Sequence, residues 1–325
     1  MKRTLFTSLL LALAAGWTLT AGGPHVYAPG LYEKVEQLRQ GIMAHGWHFQ
    51  VGVNPAMEHG VERLCGFKPD LTRPEFLAHE PGGFANYEVP EEPAALPSRY
   101  VGVFSSVKDQ GECGSCWAFS TIGSVEGAYL KAHQARNGAV DADGYIQCSS
   151  STPALSEQQV LSCNPWGYDC DGGNYAFDML NPVNKGSAGY YPGAVPADLY
   201  PYIAQATACD IPSHATYVPV RKWGYVGNYQ GIPPLAAIKA AIYKYGGVSA
   251  TVYADNYFEA YTGGVFDNTN SSSPINHAIL LVGWDDSKGA WLLKNSWSAS
   301  WGINGYMWIK YNANRVGTST AWVVE

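Results

Sequence analysis

The chain has 325 residues, 46% hydrophobic and 13% aromatic, enough apolar side chain for a large core in one or two domains, and this excludes disorder over most of its length. Its formal charge is −7, and from residue 96 onward 13 basic residues face 17 acidic ones. That balance argues against nucleic acid as a partner, because phosphate binding calls for a basic surface.

Met1-Lys2-Arg3 and the Leu- and Ala-rich run from Thr4 to Ala15 read as a signal peptide over residues 1–22, with small residues at Thr20-Ala21-Gly22-Gly23 for cleavage. The run is too short and too near the terminus for a membrane span, and no Cys follows closely, so no lipid anchor is expected. Export predicts a secreted or periplasmic protein, or a lysosome-like compartment in a eukaryote, where disulfides persist. Residues 23–95 differ in texture from residues 96–325. Tyr32 to Gln40 predicts a short helix, Trp47-His48-Phe49-Gln50-Val51 alternates like a strand, and Pro81 to Pro97 is a linker, with no evident compact core. Five of the eight histidines (His25, His45, His48, His59, His79) lie here. Either they are solvated loop residues, or their protonation alters the grip of this segment on the acidic remainder.

The next stretch, Gln110-Gly111-Glu112-Cys113-Gly114-Ser115-Cys116-Trp117-Ala118-Phe119, carries the densest chemistry. Glycines there let the backbone turn and approach a substrate. Cys116 opens a helix predicted to run to about Lys131, on which Phe119, Ile122, Val125 and Tyr129 recur at helical spacing. A Cys in the first turn meets unpaired N–H groups and the positive end of the helix dipole, which favour the nucleophilic thiolate. Gln110 offers an amide donor to the negative oxygen that attack would create. Glu126 shares a side with Ile122 and Tyr129, where an unpaired carboxylate would be costly. The competing reading of Cys113 and Cys116 is a redox pair or half of a zinc site, yet no second CxxC or HxxxH supplies further ligands. No metal and no cofactor is expected.

Residues 137–153 read as a polar inserted loop, and Ser156-Glu157-Gln158-Gln159 as a capping box opening a short helix. Cys170-Asp171-Gly172-Gly173 comes next, whose glycines would let an extended peptide backbone lie against the protein. Beyond Ile211, Pro233 to Tyr245 predicts a helix with Leu235, Ile238 and Ile242 on one face. Val248–Val252, His277–Val282, Trp291–Lys294 and Tyr306–Lys310 predict strands. Asn276-His277 and Asn295-Ser296-Trp297 set polar residues at the ends of apolar β-prone runs, the pattern of buried strands that present a functional group.

Together these residues resemble the papain-like cysteine proteases over roughly residues 96–325. Cys113-Gly114-Ser115-Cys116-Trp117, Leu155-Ser156-Glu157-Gln158, Cys170-Asp171-Gly172-Gly173, Tyr200-Pro201-Tyr202, His277 and Asn295-Ser296-Trp297 stand in the family's order. His277 and Asn295 lie 161 and 179 residues after Cys116, more than the family's usual ~130–150, which implies insertions. The resemblance implies an α+β, two-lobed fold, with a mainly helical lobe over about 96–210, an antiparallel barrel-like lobe over about 211–325, and the site between them. Residues 23–95 would be an inhibitory propeptide, short and lacking the family's longer helical signature, with Phe67-Lys68-Pro69-Asp70 to Glu75-Phe76 similar to its prosegment pattern. Leu96-Pro97-Ser98 would begin the mature part.

By resemblance, Cys116 and His277 form a thiolate–imidazolium pair, Asn295 orients the ring, Trp297 covers that bond and borders the substrate, and Gln110 holds the oxyanion. Gly172, Gly173, Asn174, Tyr175, Ala176, Thr251, Asn276 and Ser319 would bind substrate, with no carboxylate to select a basic side chain and so a preference for apolar or aromatic ones. Disulfides Cys113–Cys170 and Cys163–Cys209 are implied, which would leave Cys116 free, as is an ion pair of Glu126 with Lys294 between the lobes. Cys65 and Cys148 either pair with each other or stay free. The implied activity is that of an endopeptidase acting on proteins or peptides, inhibited by its own propeptide and monomeric. A transpeptidase or ligase on the same groups, a thiol–disulfide oxidoreductase using Cys113 and Cys116, and a silent binding module are the alternatives.

Overall fold

The computed structural model describes residues 26–69, 95–102, 104–133, 154–186, 188–215, 217–229, 231–269 and 272–325. The expected signal peptide, the linker up to residue 94, the 137–153 loop, His25, His79 and Cys148 lie outside these residues.

Helix α1 (Pro29–His45) starts on a proline, which needs no amide partner there, and stops at Gly46, whose left-handed backbone (φ 66°) returns its N–H to the last turn. Val35, Leu38 and Ile42 form its buried stripe. Strand β1 (Gln50–Val51) is next, then a 3₁₀ turn at Pro55–Glu58 capped by Asn54, and then the single turn α2 (Val61–Leu64). The strand expected over Trp47–Val51 is thus cut to two residues, paired antiparallel with β5 (Tyr261–Gly263). The reading that this segment has no core is corrected. Its apolar stripe joins Phe49, Val51 and Met57 in one cluster with Phe258, Tyr261, Phe266 and Trp301, so the core is borrowed from the later part of the chain.

Helix α3 (Cys116–Ala132) is buried on nearly every face, as a central helix must be when Trp117, Ala118, Ile122 and Val125 leave no polar stripe. It packs with α4 (Glu157–Cys163), which Ser156 caps by accepting the Gln159 N–H at 3.0 Å. The disulfides Cys113–Cys170 and Cys163–Cys209 tie this lobe together.

The other lobe is built on one sheet. It contains β2 (Arg99–Val101), β3 (Lys222–Tyr225), β4 (Val248–Val252), β6 (Val265–Phe266), β7 (His277–Asp285), β8 (Ala290–Lys294), β9 (Tyr306–Lys310) and β10 (Thr318–Val324). Neighbours run in the order β3-β10-β4-β7-β8-β9-β6, with β2 also on β7, and every pair is antiparallel except β6 with β9. The path is open, so the expected barrel-like lobe is corrected to an open sheet, flanked by α5 (Leu235–Tyr245) and the short α6 (Asn256–Glu259). The division near residue 211 is also too clean. Residues 99–101 pair with β7, while Trp223, Tyr225, Ala321 and Val323 enter the cluster that holds Trp117 and Ile122.

α3 lies directly on β4 and β7. Gly127 makes this possible: a Cβ there would stand 2.9 Å from the Gly247 backbone N. The close approach brings the start of α3 against the start of β7.

Candidate active site

Cys116 is the first residue of α3 and fully buried. The chain reaches it through Gly111 in the left-handed region (φ 56°) and through the Cys113–Cys170 bridge, with Gly114 N–H donated to Cys170 O at 2.9 Å. Ser115 precedes the helix without capping it by its side chain. Its hydroxyl lies 2.6 Å from that of Tyr202, which donates to Gln110 O at 2.9 Å, so one phenol braces both ends of this loop. The Gln110 amide is oriented by Ser296, whose Oγ donates to Oε1 at 2.7 Å. Nε2 is then left to donate to Cys113 O at 2.7 Å and to Leu64 O at 2.9 Å.

His277 opens β7, and Asn295 comes directly after the last residue of β8, so sheet pairing sets them side by side. His277 Nε2 and Asn295 Oδ1 are 2.8 Å apart. An amide oxygen can only accept, so Nε2 carries the proton and Nδ1 is the basic nitrogen. Nδ1 is buried without a hydrogen-bond partner. Trp297, 2% exposed, places its ring 4.7 Å from the imidazole and shields the bond to Asn295. Burial pushes the His277 pKa down to about 4, against the opposing effect of the Asn295 bond. Burial likewise pushes the Cys116 thiol up to about 11, against the backbone N–H groups that favour its anion. Both groups are therefore neutral at ordinary pH.

The cause of that burial is the chain itself. Residues 64–68 lie across the cleft as a strap. Gly66 N–H points at Cys116 Sγ at 3.3 Å, beside the N–H of Ala278 at 3.4 Å. Gly173 N–H donates to Gly66 O and Lys68 N–H to Gly173 O, both at 2.9 Å, a parallel bridge centred on Phe67. Phe67 N–H donates to Asn276 O at 2.9 Å, and its ring, 3% exposed, packs at 5.3 Å on that of Tyr175. Of the residues expected to bind substrate, Gly172 and Gly173 lie under this strap, and Ala176 shares its apolar cluster. Asn174 Nδ2 donates to Tyr229 OH at 2.7 Å, and the Asn276 side chain is tied to both backbone groups of Ala254. Thr251 and Ser319 are fully buried in the sheet, the first donating to Thr318 O at 2.9 Å, the second through its N–H to Gly231 O at 3.1 Å.

The expected Glu126–Lys294 pair is corrected. The cation in direct contact with Glu126 is Lys108, at 2.7 Å, which also binds Glu157 at 2.5 Å. Lys294 reaches Glu126 through Ser105, donating to its hydroxyl at 3.0 Å, while that hydroxyl donates to Glu126. Burial alone would raise the Glu126 pKa, but the two lysines hold it below the usual carboxylate value; Glu157, with a smaller share of positive charge, is pushed by burial up to about 7. Sequence reasoning missed Lys108, Ser296 and Tyr202 as a brace, and it named Phe67-Lys68 as prosegment-like without placing them over Cys116 and Gly173. A Lys two residues before Gln110 and a buried-helix Glu were the signals for the first.

The chain leading to the strap is held on the other lobe. Lys34 of α1 pairs with the buried Glu259 at 2.8 Å, and Asn54 Nδ2 donates to Glu259 O at 2.9 Å. Of the histidines, His48 lies 2.9 Å from Asp267 and His59 3.2 Å from Glu112, whereas His45 bonds within its own helix. Cys113 is committed to a disulfide, which removes the redox alternative. Cys65 is free.

Residues 93–324 match the family described as papain family cysteine protease. The digestive cysteine proteinase 1 of Homarus americanus is 33% identical over 238 residues, covering 71% of this chain and 66% of that protein. Cathepsin K of Mus musculus is 33% identical over 230 residues, covering 68% and 61%. The aligned part thus spans slightly under two thirds of both relatives. The digestive procathepsin L 3 of Tenebrio molitor superposes with a TM-score of 0.68 at 23% identity, covering 90% of this chain and 88% of that one. The proform of the ragweed pollen protease Amb a 11 gives 0.69 at 21%, covering 92% and 88%. At such identities the structural likeness carries the fold.

Proposed function

This chain belongs to the papain family of cysteine proteases, and on that premise we propose that it is a cysteine endopeptidase made as an inactive precursor, with Cys116 as nucleophile and His277 as general base and acid. In this reading residues 1–22 are a leader, 23–95 the inhibitory propeptide and 96–325 the catalytic part, exported and acting as a monomer on protein or peptide substrates. Among the described residues no helix is long and apolar enough to cross a membrane.

The observation that carries the reading is the convergence on one point of the strap. Gln110 Nε2 holds the Leu64 carbonyl where an oxyanion would form, and the next amide but one sits on Cys116 Sγ. With the strap gone, water enters, the His277 pKa rises toward that of free imidazole, and the thiol proton passes to Nδ1. The thiolate attacks a peptide carbonyl, Gln110 Nε2 and the Cys116 N–H stabilise the oxyanion, His277 protonates the leaving amine, and water then releases the acyl group. Asn295 keeps Nε2 protonated throughout. Phe67 against Tyr175 supports an apolar or aromatic preference in the pocket it fills, since a peptide strand on Gly173 would place a side chain there.

An electrophilic peptide inhibitor tests this. It should label the chain freed of residues 1–95, spare the intact precursor, and leave Cys116→Ala untouched; labelling that survives Cys116→Ala overturns the assignment.

A further inference from the structure

Cys65 and Cys116 are the two free thiols among the described residues, and the fold sets them together. Gly66 N lies 3.3 Å from Cys116 Sγ. One peptide unit spans about 2.4 Å from that nitrogen back to Cys65 Cα, so this Cα is at most about 5.7 Å from Cys116 Sγ. Turned toward Cys116, the Cys65 side chain leaves roughly 1 Å to close to a disulfide bond length. Cys116 is fully buried, but Cys65 keeps contact with solvent. It borders two openings, one of about 370 Å³ shared with Glu62 and Asp255, the other of about 110 Å³ shared with Glu62, Arg63, Glu112 and Asp171. Four carboxylates against one guanidinium make these mouths anionic.

We propose that Cys65 is a modification site for small cationic disulfides and, through it, an oxidative latch that links the propeptide covalently to Cys116. The latch rests on the proteolytic reading above only for its consequence, the silencing of the precursor. Cys65 loses its proton to solvent and attacks one sulfur of R–S–S–R, expelling RS⁻ and forming Cys65–S–S–R. Cys116 in turn loses its proton to solvent base and attacks the Cys65 sulfur, expelling the second RS⁻. Two protein thiols are oxidised by two electrons, the reagent is reduced to two thiols, and the two protons end on them. Burial, and then the neighbouring Cys116, Glu259, Glu62 and Asp255, push the Cys65 pKa well above its ordinary value, so exchange quickens as pH rises.

The test uses the full precursor with cystamine at pH 8.5, acid quenching, and non-reducing digestion with mass spectrometry. The expected result is a peptide pair joined through Cys65 and Cys116 that retains no reagent, formed at least fivefold faster than with anionic oxidised glutathione at low salt, the gap narrowing at high salt. The latched precursor should not process until dithiothreitol is added. Cys65→Ser should abolish the cross-link, and Cys148→Ser should leave it. Reagent retained as separate adducts, or a Cys65–Cys148 bond in its place, overturns the proposal, as does a latched precursor that processes at the rate of the reduced one. The mature chain lacks residue 65, so its labelling by the peptide inhibitor judges the proteolytic reading independently.

Discussion

Gly66→Ala is the substitution that most directly probes how the strap silences the site. A Cβ at residue 66 would stand 1.7 Å from Gly114 O and 2.5 Å from its carbonyl carbon. Ordinary carbon–oxygen contact begins at about 3.3 Å, so the strap must lift by roughly 1.6 Å. Gly114 cannot retreat, because it is bonded to Cys170 and continues into α3 beside the Cys113–Cys170 bridge. Lifting breaks the two bonds made by Gly66, to Cys116 Sγ and from Gly173, and the neighbouring bond from Phe67 to Asn276. At about 1 kcal/mol net for each, the closed state loses about 3 kcal/mol, roughly a 150-fold increase in the open fraction. The assay is alkylation of Cys116 in freshly purified precursor by iodoacetamide, mapped by peptide mass. The rate should rise by about two orders of magnitude. Gly30→Ala, where a Cβ meets nothing within 4 Å, serves as the control and should alkylate like the wild type. A Gly66→Ala rate within threefold of wild type would refute the steric argument.

The pH dependence of the precursor follows from His277, whose pKa falls from 6.5 to about 4 on burial. A depressed base contributes stability that is full above 6.5 and lost as pH falls through 4, here about 3 kcal/mol at 1.36 per unit. Urea unfolding of a Cys116→Ala precursor should therefore weaken over that window by about this much more than its His277→Gln counterpart; equal slopes contradict it. Lys108→Met leaves the buried Glu126 and Glu157 facing each other, and should cost about 3–5 kcal/mol in unfolding free energy. Tyr202→Phe keeps the ring but removes the hydroxyl between Gln110 O and Ser115 Oγ, and should lower kcat about tenfold with KM unchanged. Affinity for a peptide aldehyde, which mimics the oxyanion, should fall in parallel; an unchanged aldehyde affinity would leave Tyr202 a merely structural residue.

The legible part of this protein was what local chemistry dictates. Cys116 at a helix start, the α3 boundaries, the Ser156 cap and four strands of the second lobe follow from spacing and residue type alone. β2, β3 and β10 were not legible, because their pairing joins residues near 100 and 322 to strands far away in sequence, and nothing local records a partner. The Glu126 pairing failed for a related reason. A carboxylate buried in α3 demands a cation, but two lysines can reach it, and only packing decides that Lys108 makes the contact while Lys294 works through Ser105. The segment before residue 96 looked coreless because its apolar stripe, Val35, Leu38 and Ile42, is completed by aromatic side chains contributed from residues 258–301.

The proposed reading requires that the strap occupy the cleft without being a substrate, and the geometry supplies a reason. A peptide strand running antiparallel to Gly173 would exchange both of its bonds through one residue, N–H to Gly173 O and C=O from Gly173 N. In the strap these bonds come from two residues, Gly66 O and Lys68 N, flanking Phe67, which is the signature of a parallel strand. The Phe67 side chain can fill the same pocket either way, but the order of carbonyl and amide along the backbone is reversed. The Leu64 carbonyl that reaches Gln110 is therefore continued by a chain running back along the binding strand instead of away from it, so the amine that would leave lies on the wrong side of the carbonyl. Meanwhile Gly66 N–H occupies the sulfur and His277 Nδ1 has no partner, so the proton transfer that would create the nucleophile is interrupted at its first step. On the proteolytic reading proposed above, inhibition would combine a fitting side chain with an inverted backbone, and reversing either should separate binding from protection.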